Sequence, residues 1–463
     1  MSKPQAPAEN KMGTRPVAPL LLQMALPMMF SMLAQSLYNV VDSVFVSKIS
    51  ENALTAVSLA FPVQNLMIAF AVGTGVGINA LLSRSLGQKN QTAVNAAAAH
   101  GLLLQITTSV LFFLFGLFFA QSFMHSQTGI DEIRTHGMKY LQIVTIGCTG
   151  LFLQVTFERL LQSTGRTAYS MFMQLVGAAT NVLFDWLLIF GIGPFPELGV
   201  AGAAYATILG QWLAALTGLF LNLYCNPDIR LQIRGFRLSL STIGSIYLVG
   251  LPSILLSALT SVMTFGMNRI LAHFSETAIA VFGVYFKLQS FVFMPVFGLN
   301  NAMVPILAFN YGARNPKRMT ATLRWAMLCA VSMMLLGFGI FQCLPKQLLL
   351  LFEPSDAMLQ IGIPALRTIS VSFLVAGINI IAISSFQALG NGMISLVIAV
   401  IRQLFLLPTA FFLAEKEILS LIWWAFPIAE GVALLLSLFF LRYQHNKKIR
   451  PLQEIFQKPD SVS

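Results

Sequence analysis

The chain has 463 residues, of which 56% are hydrophobic and 10% charged, and its mean hydropathy is +0.76. No soluble protein needs that much apolar surface, and the charges cluster in short segments between long apolar runs, as in a polytopic membrane protein. The net charge of +11 suggests nucleic-acid binding at first sight. Its placement in the connections between apolar runs argues against a nucleic-acid partner.

Twelve apolar segments are long enough to cross a bilayer as helices, because about 20 residues span roughly 30 Å of hydrocarbon. They are continuously apolar, whereas the strands of a membrane barrel are short and alternate apolar with polar residues. The sequence therefore predicts an all-α membrane protein with 12 transmembrane helices. The predicted spans are residues 20–47, 54–83, 93–122, 138–162, 167–192, 199–224, 242–271, 280–309, 318–343, 360–386, 392–413 and 418–441.

Basic residues collect in every second connection, as at Arg84 with Lys89 and at Arg314 with Lys317, whereas intervening connections are mixed or acidic, as at Glu276. The positive-inside rule then places both termini in the cytoplasm, and an even number of spans agrees. We expect a multi-pass protein of the plasma membrane, which is the inner membrane of a bacterial cell.

The chain repeats itself with an offset of 225 residues. Landmarks that coincide without gaps include polar and helix-breaking residues, which chance matches less often than apolar ones. These pairs are Pro27 with Pro252, Ser50 with Ser275, Gln64 with Gln289, Asn90 with Asn315, and Gly165 with Gly390. Duplication of a six-helix unit explains the shared register.

Six spans return the chain to the side from which it started, so both halves have the same orientation. We predict two six-helix lobes, residues 17–225 and 242–442, related by a pseudo-twofold axis along the membrane normal. A cytoplasmic linker, 226–241, joins them. Residues 1–16 are predicted to be a flexible cytoplasmic N-terminus, and 443–463 a cytoplasmic tail.

Two carboxylates lie inside predicted spans: Asp42 in PMMFSMLAQSLYNVVDSVFV and Asp185 in MFMQLVGAATNVLFDWLLIFGIG. A carboxylate in hydrocarbon costs about 2.5 kcal/mol or more, and such residues normally face a bundle interior or a watery cavity. The repeat places Met267 and Ala410 at the equivalent positions. Both acids therefore belong to the N-terminal half, and they are the first candidates for an ion or proton pathway.

Polar residues accompany both acids. Tyr38 and Asn39 lie on the helix face of the first acid, Asn181 lies one turn from the second, and Thr207 of the sixth span adds a hydroxyl. Two carboxylates, an amide oxygen and a hydroxyl can form an oxygen cage for Na⁺. The same group can instead hold a shared proton. The structural alternative is a hydrogen bond that only stabilises helix packing. This interpretation is better supported for Asn181 and Thr207 than for the acids.

Three further charged residues within or near the spans are weaker candidates for a functional role. Glu158 precedes Arg159 near a cytoplasmic end, where a local ion pair is a simple explanation. Arg402 lies within the eleventh span and is expected to extend to the membrane surface or to pair with an acid. Glu430 lies within the last span.

The chain resembles the multidrug and toxic compound extrusion (MATE) family. The segments that carry the resemblance are LPMMFSMLAQSLYNVVDSVFVS, GTGVGINALLSRSLGQKN, LLQSTGRT, NVLFDWLLIFG, GVAGAAYAT, VPILAFNYGARN and FQALGNG, in this order along residues 15–445. The resemblance implies two six-helix lobes and drug export driven by entry of H⁺ or Na⁺.

The pattern of acids is similar to that of the DinF-like branch of this family, whose cation site is in the N-terminal lobe. Carried over residue by residue, that site corresponds to Asp42, Asn181, Asp185 and Thr207. NorM-like members carry essential acids in the C-terminal lobe, where the first helix of this chain has Met267 instead.

We therefore expect a secondary active transporter rather than an enzyme: a monomeric antiporter, without a cofactor, that exports amphipathic or cationic organic molecules in exchange for H⁺ or Na⁺. A lipid-linked glycan flippase of the same superfamily is the alternative, and Arg402 as the only clear mid-span cation weighs against it. A membrane-embedded aspartyl enzyme is a third hypothesis. It is disfavoured by the duplicated architecture and by the absence of recognisable catalytic loop motifs.

Overall fold

The structure is a computed structural model that describes residues 10–231, 236–352 and 354–457. Within these residues every regular element is a helix, and ten helices are long and apolar enough to cross a membrane. Two bent helix pairs raise the number of spans to as many as 12. Large apolar side chains such as Phe118 and Leu336 are each 68% exposed on helix surfaces. Such surfaces fit contact with lipid, and the predicted all-α membrane fold is confirmed.

The chain divides into two compact units. One contains residues 30–86 and 90–254, and the other contains the described residues of 1–29, 87–89 and 255–463. The predicted lobes, residues 17–225 and 242–442, were defined by the sequence repeat, and their limits stay a prediction.

The first unit, residues 30–86 and 90–254, is built from most of the helices of the N-terminal half. These are α2 (Val17–Ser47, from Phe30 onward), α3 (Glu51–Gly87), α4 (Gln91–Phe118), α5 (Ala120–Gln127), α6 (Asp131–Ile146), α7 (Thr149–Ser163), α8 (Thr167–Phe190), α9 (Val200–Cys225) and the first part of α10 (Leu240–Ala272).

The second unit contains the rest of α10 and the helices that follow it, together with α1 (Lys11–Thr14) and the start of α2. Its further helices are α11 (Glu276–Gly312), α12 (Pro316–Cys343), α13 (Pro345–Leu350), α14 (Asp356–Ser370), α15 (Phe373–Ala388), α16 (Gly392–Ala414), α17 (Leu419–Ile422), α18 (Ala425–Gln444) and α19 (Arg450–Gln457); a π-helical turn, His445–Ile449, joins the last two.

Part of the segment predicted to be a flexible N-terminus is ordered. Residues 1–9 lie outside the described residues, but α1 follows them and Met12 is fully buried. Arg318 of α12 donates to the backbone oxygens of Met12 (2.9 Å) and Arg15 (2.7 Å), and Asn310 also donates to Met12 O (3.1 Å). These bonds hold α1 against α11 and α12, which the polar composition of the terminus does not reveal.

Two predicted spans, 138–162 and 360–386, are bent pairs rather than continuous helices. α6 and α7 meet at 45°, and α14 and α15 meet at 49°. At both breaks the backbone forms tighter bonds of the i→i−3 type, as from Cys148 N to Thr145 O (3.4 Å) and from Ser372 N to Ile369 O (3.0 Å). Hydropathy stays high across both breaks, so the sequence predicted each span without an interruption.

The repeat predicted from the sequence recurs in local geometry. Asn90 Oδ1 caps α4 by accepting from Ala93 N (3.0 Å), and Asn315 Oδ1 caps α12 by accepting from Arg318 N (3.2 Å). The preceding residues, Lys89 and Arg314, have φ of 55° and 53°. Non-glycine residues seldom adopt this left-handed conformation, so its recurrence at an offset of 225 residues supports duplication.

A turn glycine offers a test of this local geometry. Gly390 has φ of +78°, and a Cβ at this position meets no atom within 4 Å. We expect Gly390→Ala to destabilise the protein by about 1–2 kcal/mol, because only backbone strain opposes the added methyl. Thermal unfolding in detergent measures the change.

Gly339→Ala is the matched control, since Gly339 lies inside α12 and its added Cβ also meets nothing within 4 Å. Alanine favours helix by about 0.5–1 kcal/mol there, so this variant should melt at the same or a higher temperature. Equal melting temperatures of Gly390→Ala and wild type would contradict the assigned turn geometry.

Candidate ion-coupling site

The two intramembrane acids come together in the unit formed by residues 30–86 and 90–254. Asp42 of α2 and Asp185 of α8 have their carboxyl groups within hydrogen-bonding range of each other. The Asp185 side chain is fully buried, whereas Asp42 is partly exposed. In the described part of the chain, no N–H or hydroxyl group donates to the Oδ1 atom of either acid.

Asn181 and Thr207 lie beside this pair, as the sequence predicts. In the amide orientation that satisfies both of its ends, Asn181 Nδ2 donates to Asp185 Oδ2 (3.3 Å) and its oxygen accepts from Thr207 N (3.2 Å). The Thr207 hydroxyl donates to Ala203 O (3.0 Å). The amide therefore links α8 to α9 and contacts one of the two carboxyl groups.

Small residues bring α8 and α9 close enough for this link. A Cβ added at Gly210 of α9 would lie 2.7 Å from Gly177 O, and one added at Gly177 would lie 2.9 Å from Ala214 Cβ. Any side chain larger than hydrogen would push the helices apart. This close approach is typical of helix pairs in membranes, and here it sets the position of Asn181, one turn after Gly177.

Two tyrosines lie near the carboxyl pair. Tyr38 of α2, a predicted accessory residue, hydrogen bonds Gln35 and is within electrostatic range of both acids. Tyr140 of α6 lies in the same range, and its hydroxyl accepts from Gln64 Nε2 of α3 (2.9 Å). Sequence reasoning missed Tyr140, because α6 is a polar, amphipathic segment. The side chain of Asn39, the other accessory candidate on α2, lies outside the described residues.

Glu158 belongs to a different cluster in the same unit. Gln162 Nε2 donates to Glu158 Oε1 (2.6 Å) and to Ser170 Oγ (3.2 Å), while Arg159 Nη1 donates to Gln162 Oε1 (2.7 Å). All of these side chains are buried. The network joins the end of α7 to α8.

Arg402 and Glu430 form a separate ion pair in the second unit. Arg402 Nη1 of α16 lies 2.8 Å from Glu430 Oε1 of α18, with 31% and 15% of the two side chains exposed. Asn379 of α15 donates to Glu430 Oε2 (2.7 Å) and to its backbone oxygen (3.1 Å). Arg402 thus pairs with an acid instead of extending to the membrane surface.

Among the described residues, no group of three or more His, Cys, Asp or Glu side chains converges as a metal site would.

Comparison with known proteins identifies the family. The MatE family model matches residues 27–187 and 252–412. The chain belongs to the MatE family. Both ends of the second matched segment are displaced by the 225 residues of the repeat, so the duplication and the family resemblance predicted from the sequence are confirmed. Membership places the chain among transporters rather than enzymes.

Relatives and solved structures of this family match almost the whole chain. The multidrug export protein MepA of Staphylococcus haemolyticus is 23% identical over 92% of the chain and 94% of its own length. MepA of Staphylococcus saprophyticus is 24% identical over 91% and 92%.

Among solved structures, an outward-facing multidrug resistance MATE family transporter of the MOP superfamily has a TM-score of 0.90 at 24% identity, covering 97% of this chain and 100% of that one. A MOP superfamily transporter from Pyrococcus furiosus Vc1, described as having a binding pocket of reversed polarity that suggests a different function, has a TM-score of 0.89 at 24% identity, over 97% and 99%. These likenesses confirm the fold.

The Arg402–Glu430 pair predicts a measurable loss of stability. Arg402→Met leaves the Glu430 carboxylate without its cation, which should destabilise the protein by about 3 kcal/mol. The double variant Arg402→Met/Glu430→Gln should recover part of this loss, and thermal unfolding in detergent gives the double-mutant cycle.

Arg134→Met serves as the comparison, because Arg134 pairs with an Asp131 whose side chain is 83% exposed. Removing one partner of an exposed pair should cost less than about 1 kcal/mol. If Arg402→Met lowers stability no more than Arg134→Met, the stability of the protein does not depend on the pairing of Glu430 with Arg402.

Proposed function

We propose that the protein is a cation-coupled antiporter that exports amphipathic, often cationic, organic molecules by alternating access. Family membership and relatives named as multidrug export proteins support the export of such cargo. The observation that carries the coupling is the carboxyl pair, Asp42 with Asp185, held within hydrogen-bonding range inside membrane helices. Uncompensated charge there is costly, so the pair has a strong tendency to bind a cation.

The contacts of the pair favour H⁺ over Na⁺ as the coupling ion. Two ionised carboxylates have no hydrogen to share, whereas a protonated carboxyl donates one. A single proton between Asp42 and Asp185 therefore satisfies their close approach. A Na⁺ cage needs the Asn181 oxygen turned toward the acids, whereas the amide orientation that satisfies both ends of Asn181 without a cation turns its nitrogen toward Asp185.

Coupling follows if cargo and proton favour different conformations of the transporter. A ligand shifts an equilibrium only through its differential affinity for the two states. The shared proton reduces the charge of the pair to a single negative charge in one state, and its release into water in the other leaves two negative charges that favour a cationic cargo. Exchange of the two ligands then drives alternating access.

The glycan flippase alternative requires a strongly cationic central cavity. Arg402, the mid-span cation that would support it, is neutralised by Glu430 at 2.8 Å. The antiporter is the better supported function. The placement of basic connections supports a location in the plasma (inner) membrane with both termini in the cytoplasm, and we propose that a monomer is the working unit.

Neutralising either acid should abolish coupled transport. In proteoliposomes that contain the purified full-length protein, we expect a pH gradient to drive efflux of a cationic dye. Asp42→Asn and Asp185→Asn should each reduce this efflux about tenfold or more, the size of a lost coupling interaction. Asp131→Asn, which removes an exposed charge at the first residue of α6, should leave the rate unchanged.

A Na⁺ gradient imposed without a pH gradient separates the two ions. We expect no efflux above the leak of protein-free liposomes. Efflux driven by Na⁺ alone would contradict proton coupling, and wild-type rates in both Asn variants would remove the pair from the mechanism.

A further inference from the structure

A cavity of about 300 Å³ lies at the C-terminal end of α18 in the second unit, far along the chain from the acid pair. Its apolar wall includes Leu323 and Met327 of α12 and Leu441 of α18, which are all partly exposed, so the wall reaches the helix surface. Arg442 and Gln444 are also among the residues that line it. The proposed transport mechanism does not use any of these residues.

Gln444 is the unexplained group in this cavity. The residue is 2% exposed, and among the described residues neither its amide oxygen nor its amide nitrogen has a hydrogen-bond partner. Nearly all buried side-chain polar groups have one, and an unsatisfied amide costs free energy. Because Gln444 lines the cavity, a ligand with both a donor and an acceptor would satisfy it there.

The surrounding charge selects an anion. Arg442 is exposed and forms no ion pair within the described chain, and Lys447 follows at the same end of the helix. A guanidinium binds phosphate through two parallel N–H donors. A cationic drug would be repelled, and a soluble phosphate would gain nothing from the apolar wall.

The backbone around the cavity is held in place. The π-helical turn, His445–Ile449, is a rare conformation that is often found at functional sites. Lys448 of this turn donates to Leu389 O (2.6 Å) and to Asn391 Oδ1 (3.1 Å). The turn is thereby tied to the residues that follow α15, and Leu389 is part of the cavity lining.

We propose that this cavity binds an anionic phospholipid from the adjacent bilayer leaflet. One acyl chain lies against Leu323, Met327 and Leu441. The phosphate pairs with Arg442, and the ester or glycerol oxygens hydrogen bond the Gln444 amide. Basic pockets between membrane helices commonly recognise lipid headgroups in this way. The inference does not depend on the ion or the cargo of the transporter.

Native mass spectrometry of the full-length protein in detergent tests the charge preference. With phosphatidylglycerol and phosphatidylcholine of matched acyl chains, we expect wild type to retain the anionic lipid preferentially. Arg442→Gln should lower that retention about fivefold, the effect of one cation near a membrane surface. Arg324→Gln removes an exposed cation from α12 outside the cavity lining and should leave retention unchanged.

Gln444→Leu separates a ligand-binding amide from a structural one. Without lipid, this variant should melt at a higher temperature than wild type, because it removes two unsatisfied polar atoms. Added phosphatidylglycerol should then raise its melting temperature less than that of wild type.

Three results would overturn the proposal. The first is equal retention of the two lipids by wild type, and the second is an equal loss in Arg442→Gln and Arg324→Gln. The third is an equal rise in melting temperature with inorganic phosphate alone, which would show that a free anion rather than a lipid occupies the cavity.

Discussion

The cost of holding carboxyl groups among apolar helices governs the structure of the first unit. Asp185 is fully buried; the Asn181 amide hydrogen bonds it, whereas the neighbouring Asp42 carboxyl adds to the cost of its charge. The Gly177–Gly210 approach of α8 and α9 brings that amide into place. A negative charge at this position is therefore poorly compensated, and the proposed binding of a cation would relieve its cost.

The duplicated halves share their local backbone geometry but not their charges. Met267 and Ala410, the repeat equivalents of Asp42 and Asp185, are fully buried apolar residues. Conversely, Arg402 of the second unit corresponds to Gly177, the residue that permits close helix packing in the first. One half thus carries a pair of acids, and the other carries an acid paired with a cation. Caps and turns constrain both halves equally, whereas buried charge is kept only where it has a partner.

The sequence predicted the parts of the structure that composition and spacing determine. Apolar length predicted the helices, and the rarity of carboxylates in hydrocarbon identified Asp42 and Asp185, whose proximity the structure bears out. It did not predict the bends at Cys148 and Ser372, because hydropathy does not change where the backbone adopts i→i−3 hydrogen bonds. Tyr140 was missed because tertiary packing, rather than the polar sequence around it, brings it near the acids.

One proton shared by Asp42 and Asp185 and displaced by cargo is the central claim. Its most direct test is to add a transported cation to the purified protein in weakly buffered detergent and to measure the protons released. The account predicts release of about one proton per bound cation, which is lost in Asp42→Asn and Asp185→Asn and retained in Asp131→Asn. Cargo binding by wild type without any proton release, or release that persists in both Asn variants, would contradict it.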